Sequence, residues 1–440
     1  LRGLSTAPAD RFHTMDALLA ELLADPSRAR RRWLAVGAAA LVAAAVVALY
    51  IHGRERRNAV CDGEAERLAG VWTAGEKSAV RSAFRATALP YAEDAFRGVE
   101  RALDAYTQRW VQLRTDACVA TRIKGEQPEE VLALSHACLD QRLEEVRAEV
   151  AVFQSADRRI VEQAVQAAQG LTSVEGCADT RRLRLVARWP KEPEARARVS
   201  DLHRRISELR ARISTGQGQD AAARAAALAD EACALQYRPG EAAAEELVTA
   251  GRDMAGDYRR GAEAAKSTIL AAEAAGDDEL VVRGWSWLAW IVGERLGRIE
   301  ESLEHLRHAH ASLERLGPHD VLLADVLERE SRLLARLGRL DDAHDRAKRS
   351  FALRERNGTR DVVLSGMRLA DVSVQLHRLD EALALYDRML ALVEREYGPA
   401  HPWMGVILNN RGFAQQRLLR LDDARLSAVR ARMIAEASGG

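Results

Sequence analysis

Four segments of this chain are versions of one short phrase: LGRIEES at 296–302, LGRLDDA at 337–343, LHRLDEA at 376–382 and LLRLDDA at 418–424, with a weaker relative, AGDYRRG, at 255–261. Equivalent positions step by 41 (256→297), 41 (297→338), 39 (338→377) and 42 (377→419) residues. A period near 40 leaves room for two helices per copy. One such pair cannot bury its own apolar face, so successive pairs must stack into a solenoid. Each copy does the same physical work. Gly256, Gly297 and Gly338 stand where the first helix of a pair turns through left-handed backbone. Asp341, Asp342, Asp380, Glu381, Asp422 and Asp423 open the next helix, where the helix dipole favours negative charge. Ala343, Ala382 and Ala424 supply the small side chain that lets two helices approach closely. Five units are expected between about 240 and 437, and a degenerate one at 196–237.

Composition agrees with helices throughout. Ala, Leu, Arg and Glu dominate, aromatics make up 5%, and β-branched runs are nearly absent outside 36–51, so an all-α fold is expected. A chain of 440 residues has room for two or three domains. Lys+Arg and Asp+Glu are both 65. That balance argues against nucleic acid as a partner, which takes an excess of positive charge to displace counterions.

The repeat phrases, together with EREYGPAHPWMGVILNNRGFAQQRLLRLDDA at 394–424, resemble tetratricopeptide repeats of the longer kinesin-light-chain-like type. Gly398, Pro399, His401 and Pro402 match the G-P-x-H-P junction of that type, and Leu408, Asn409, Asn410 and Gly412 match its L-N-N-x-G stretch. The resemblance implies a concave groove, lined by first helices, for a protein or peptide ligand. It places Asn409 where an amide grips a ligand backbone, as a group that both donates and accepts. The corresponding residues in the two preceding units are Met367 and Glu328, so no asparagine ladder runs along the groove. Trp285, Trp287 and Trp290 crowd one first helix and cannot all share a face, so Trp285 and Trp287 are further candidates for the groove against plain core packing. Two departures stand out: Trp290 occupies a small-residue position, and Ser302 replaces the alanine. No clear polar capping helix follows the last unit. His305, His308 and His310 with Glu301 and Glu304 have a metal-like spacing, but they fall on a charge-rich second helix whose plainer account is a solvated face.

Towards the N-terminus, residues 33–51 form 19 consecutive apolar positions, flanked by Arg28, Arg30, Arg31 and Arg32 on one side and Arg54, Arg56 and Arg57 on the other. At ~1.5 Å per residue such a run matches a bilayer core of roughly 30 Å, and Trp33 and Tyr50 sit at its ends. A membrane-spanning helix is the expectation. A buried alanine-rich helix and a cleaved signal sequence are the alternatives. Before it, Gly3, Leu4, Pro8, Arg11, Phe12, Met15, Leu18 and Leu22 resemble the last conserved stretch of bacterial eukaryotic-like Ser/Thr protein kinases. That resemblance covers about 25 residues. It gives Arg11 a structural ion pair with a glutamate upstream of residue 1, and it makes the chain, which begins at Leu1, the downstream part of a longer protein. It also orients the span, with the N-terminus cytoplasmic and residues 52–440 periplasmic or extracellular.

Between span and repeats, apolar residues at three- and four-residue steps over 58–178 indicate a helical juxtamembrane domain, with Gly125–Pro128 separating two long helices. A stretch at 179–195 with Pro190 and Pro193 reads as a linker. The five cysteines, Cys61, Cys118, Cys138, Cys177 and Cys233, form no CxxC and have no histidine at metal spacing. Disulfides and inert thiols both remain open. Cys118 and Cys138 flank the helix break as a candidate pair, and Cys61 and Cys177 bracket the segment.

The chain contains no GxGxxG, GxxxxGK, H-R-D, D-F-G, GxSxG or HExxH. It is not expected to be catalytic, and no cofactor is called for. The segments are then 1–27, the end of a kinase-like lobe; 28–57, a span with basic flanks; 58–178, a cysteine-bearing helical domain; 179–195, a linker; and 196–437, the repeats. The expected function is an exported protein- or peptide-binding region of a transmembrane Ser/Thr kinase, with the bilayer and a homodimer among its partners. The alternative is a membrane-anchored scaffold without a kinase.

Overall fold

The computed structural model describes residues 2–23, 37–38, 41–45, 47, 60–180, 183, 190, 192–218, 220–358 and 361–438. They divide into two compact units, Leu1–Asp62 and Gly63–Gly440. In the first, helix α1 (Met15–Leu23) starts where the Thr14 hydroxyl accepts a hydrogen bond from the Ala17 amide at 3.2 Å. The Arg11 guanidinium donates to the Ser5 carbonyl at 2.7 Å.

The expected membrane span is corrected here. Among the described residues no helix is long and apolar enough to cross a membrane. Most of 33–51 lies outside them. Eight of the 19 positions are alanine, whose small side chain adds little to insertion. The single-pass topology that rested on this span, with residues 52–440 placed outside, falls with it. The 179–195 linker likewise lies largely outside the described residues.

The second unit opens with a helical bundle: α2 (Ala74–Ala86), α3 (Ala92–Cys118), α4 (Glu129–Gln154) and α5 (Arg158–Gln169). A π-helical turn, Val119–Ile123, and Gly125 in left-handed backbone (φ 66°) end α3 and let α4 return alongside it. The buried centre includes Phe84, Trp110, Leu139, Phe153 and Ile160. Arg114 is buried against Trp110, with Asp140 at 2.7 Å and Glu64 as its ion-pair partners. Cys138 is bonded to Cys177, with Cα atoms 5.5 Å apart, so the expected 118–138 pair is not formed. The reason is geometric. Cys138 lies well inside α4, where it meets the short 3-10 helix Glu175–Ala178 that crosses it, whereas Cys118 ends the neighbouring helix. Neither Cys61 nor Cys118 is a free thiol, while Cys233 is free and exposed.

Helices α6 (Pro193–Ser214) and α7 (Ala221–Ala234) lead into five pairs among the described residues: α8 (Arg238–Met254) with α9 (Tyr258–Ala275), α10 (Asp278–Trp290) with α11 (Ile299–Leu316), α12 (Asp320–Arg336) with α13 (Leu340–Asn357), α14 (Val362–Gln375) with α15 (Leu379–Glu396), and α16 (Pro402–Arg417) with α17 (Leu421–Ala437). This is an all-α solenoid. Gly256, Gly297 and Gly338 each take φ 75° between the helices of a pair. In the last two pairs His377 and Leu419 hold the same left-handed backbone at φ 58°. Ala343 and Ala382 are fully buried at the close approach. Ser302 is tolerated there because its hydroxyl donates to the Ala289 carbonyl at 2.6 Å.

The bundle bears on both ends of this array. At the near end, Gln141 bonds His203 at 2.9 Å and the Ser214 hydroxyl donates to Glu149 at 2.8 Å. At the far end, Arg101 pairs with Glu396 at 3.1 Å, Gln166 donates to Asp361 at 3.1 Å, and the His401 ring meets the Glu162 carbonyl at 3.3 Å. One apolar core runs from the bundle into α13–α17.

Candidate functional site

Because the bundle touches α6 and the last repeats, a chamber of about 1250 Å³ is left between it and the first helices of the middle repeats. Tyr106, Gln141, Arg142 and Glu145 line it from the bundle; His203, Arg210, Glu246, Arg283, Trp287 and Arg329 line it from the array. First helices line this chamber for a topological reason. Successive first helices stack on each other, α8 on α10, α10 on α12, and so on to α16, and leave the second helices on the outside.

The wall carries charge in paired form. Arg142 is ion-paired with Glu145, whose carboxylate also accepts from the Thr172 amide at 3.2 Å. Burial opposes the charged form of Glu145, but Arg142, Arg210 and that amide outweigh it and hold the carboxyl below its ordinary range. Glu246 accepts from Arg283 at 2.6 Å and lies 3.5 Å from Arg210. Burial, reinforced by Arg142, lowers the His203 ring to about 4, so it is neutral at physiological pH. Such paired, buried ions fix the geometry of the wall more than they stabilise it.

One cation differs. Arg329 makes no ion pair or hydrogen bond among the described residues; its guanidinium lies 5.7 Å from the Trp287 ring centre and 5.6 Å from that of Trp290. The acids on its own helix are engaged elsewhere: Asp325 with Arg354 at 2.7 Å, and Glu328 with Arg354 at 3.0 Å and Arg332 at 3.8 Å. Arg332 shares Trp290, at 5.7 Å.

A local irregularity puts Trp290 there. The π-helical turn Ile291–Arg295 adds one residue to the end of this first helix. Ala289 therefore fills the buried small-residue slot that Ser331 and Ala370 fill in later units, and Trp290 rotates towards α12. Trp287 faces the chamber, whereas Trp285 stacks on His308 of the outer helix α11, 4.5 Å between ring centres. Asn409 is exposed on α16 and does not line the chamber; its neighbour Asn410 donates to Asp371 at 3.4 Å. His310 pairs with Glu330 at 2.8 Å, and no group of three or more metal-ligating side chains occurs among the described residues. Sequence reasoning had not singled out Arg142, Glu246, Arg283 or Arg329. An arginine on a helix reads as solvated unless the element opposite it is known.

The two G-P junctions have a shared device. His319 and His401 each cap a first helix, their ring nitrogens accepting from the Leu322 amide at 3.3 Å and the Trp403 amide at 3.2 Å.

Residues 287–356 and 362–437 match the model of the tetratricopeptide repeat family. Among solved structures, the chain is similar to BtubC (BKLC) from P. vanneervenii, at 17% identity and a TM-score of 0.42 over 57% of this chain and 94% of that one. No curated protein matches the chain. The described residues thus form an all-α fold, and residues 287–356 and 362–437 are built of tetratricopeptide repeats.

Proposed function

We propose that this chain is a recognition scaffold that holds a protein or peptide partner on the first-helix face of its repeats. The observation that carries this reading is the pairing of Trp287 with Arg329 on the chamber wall. Aromatic and arginine side chains left half-buried and turned to a chamber are what interfaces use as anchors. The charges around them are paired into fixed frames rather than set out as nucleophile, base and acid, which favours binding over catalysis. Screening the full chain against a displayed random-peptide library tests the reading. Enriched peptides should lose binding in Trp287→Ala and keep it in Arg307→Gln, a convex-face control that is 74% exposed. Peptides indifferent to Trp287 would defeat the assignment of the face.

The finer reading is that the scaffold serves a Ser/Thr protein kinase encoded with it, supported by Gly3, Leu4, Pro8, Arg11, Phe12, Met15, Leu18 and Leu22. Arg11 would then exchange its present Ser5 carbonyl for a glutamate of the kinase lobe. The coding sequence upstream of Leu1 decides between this and a scaffold without a kinase. A β3 lysine, H-R-D and D-F-G should be found there, and a start codon just before Leu1 would remove the kinase.

A further inference from the structure

The second helices of the pairs, α9, α11, α13, α15 and α17, form the outer row of the array. Counted from each helix start, the sixth, ninth and thirteenth residues are spaced to share one face, and in all five helices that face is exposed. Four units keep it polar or small. The sixth residue is Glu263, Glu304, Asp345 and Ala384 in turn, and the ninth is Lys266, Arg307, Lys348 and Asp387. In α17 the same positions hold Leu426 and Val429, with Met433 as the thirteenth; they are 69%, 42% and 60% exposed. The charges of this face are thus replaced by a contiguous apolar stripe on one helix alone, the mark of a surface that something covers. That occupant is not a further repeat. Where α15 turns Leu383, Tyr386 and Leu390 inward, α17 carries Arg425, Ala428 and Arg432, so the side that would seat another pair is not apolar.

We propose that the stripe of Leu426, Val429 and Met433 pairs with its own copy, two α17 helices lying antiparallel across a two-fold axis. A two-fold contact must be complementary to itself, and α17 is. Its acids Asp422 and Asp423 stand in the first turn, and Arg430 and Arg432 in the second half. With Leu426 set against the partner's Val429, Asp422 comes level with the partner's Arg432 and Asp423 with the partner's Arg430, to within two residues along the helix. Arg425, level with the partner's Arg430, projects from the opposite flank of the stripe. Asp422, Asp423 and Arg430 make no ion pair among the described residues, and Arg432 reaches its own Glu436 only at 3.5 Å with both side chains mostly exposed. All four are therefore available to a partner. A foreign helix would have to match this order of charge and apolar side chains by coincidence, whereas a second copy carries it by necessity. The contact is small, so the association is weak, in the micromolar range. It leaves the first-helix face of both copies open, and its failure would not touch the recognition role of that face.

The test is analytical sedimentation of the full chain over a concentration series, with melting temperatures taken alongside to show that variants at these exposed positions stay folded. The parent chain should pass from monomer to dimer. Leu426→Glu and Val429→Glu should each raise the dissociation constant roughly tenfold or more. Arg307→Gln, at the ninth position of an earlier unit, should leave it unchanged. Charge reversal checks the antiparallel register. Asp423→Arg and Arg430→Asp should each self-associate more weakly than the parent, and mixing the two in equal amounts should restore association, because every cross-copy pair is then again of opposite sign. A parent chain that stays monomeric throughout overturns the proposal and leaves the stripe to a different protein or a lipid surface. A dimer indifferent to Leu426→Glu and Val429→Glu overturns it as well, by placing the contact elsewhere. A dimer weakened by those two changes but not restored by the mixture overturns the antiparallel pairing.

Discussion

At the scale of single residues, the turns inside the repeats are the clearest case of one conformation met by different side chains. Leu419 holds φ 58° and is 81% exposed, so it bears the left-handed steric cost and buries nothing in return. Leu419→Gly should therefore gain about 0.5–1 kcal/mol, the relief of strain being offset in part by glycine's greater freedom when unfolded. A rise in melting temperature checks it. His401 gives a second prediction. Burial lowers its pKa from 6.5 to about 4, the Glu162 carbonyl opposing only weakly. The unfolded chain then takes up the proton first, so stability is complete above pH ~6.5 and declines as pH falls towards about 4, by up to about 3 kcal/mol from this ring. His203 acts in the same direction. Urea unfolding at pH 7.5 and 5 should show a smaller acid loss for His401→Asn, which keeps a cap for α16. An unchanged loss would mean that His401 is not the group responsible.

At the scale of elements, contact between the bundle and the last repeats rests on a close backbone approach. A Cβ on Gly98 of α3 would stand 2.6 Å from the Glu396 carbonyl oxygen and 2.7 Å from Val165. Glycine to alanine in a helix interior ordinarily gains about 1 kcal/mol. Gly98→Ala should instead lose about 1–3 kcal/mol through overpacking, with faster hydrogen exchange at the end of α15. The Cys138–Cys177 bond closes a sequence separation of 39. Its removal in Cys177→Ser should cost about 3–4 kcal/mol, read as a shift in denaturant midpoint. Much of this level was legible beforehand. The repeat phrases located the turns at Gly256, Gly297 and Gly338 and the acidic helix starts, because both follow from local backbone chemistry. The disulfide partner was not legible, since spacing along α3 and α4 says nothing about the short helix that crosses them.

At the scale of the whole molecule, function depends on what the first-helix face is turned towards. The tetratricopeptide repeats offer a curved surface, and the bundle, by meeting α6 at one end and α15–α16 at the other, converts part of that surface into a chamber. Trp287 was visible as a candidate because aromatics crowd its helix; Arg329 was not, because its meaning comes from the acids that Arg354 removes from it. The membrane expectation failed at this scale too. Nineteen apolar positions satisfied a length criterion, but among the described residues they include no helix of the length a bilayer takes.

The sequence by itself determined the helices, their pairing and their stacking order, because period, turn glycines and helix-end charges act within a few residues of one another. Only the tertiary structure decided which arginines keep a partner, which tryptophan faces the chamber and which cysteines meet. Those outcomes depend on contacts between segments as much as 295 residues apart, such as Arg101 with Glu396, and no local pattern encodes them.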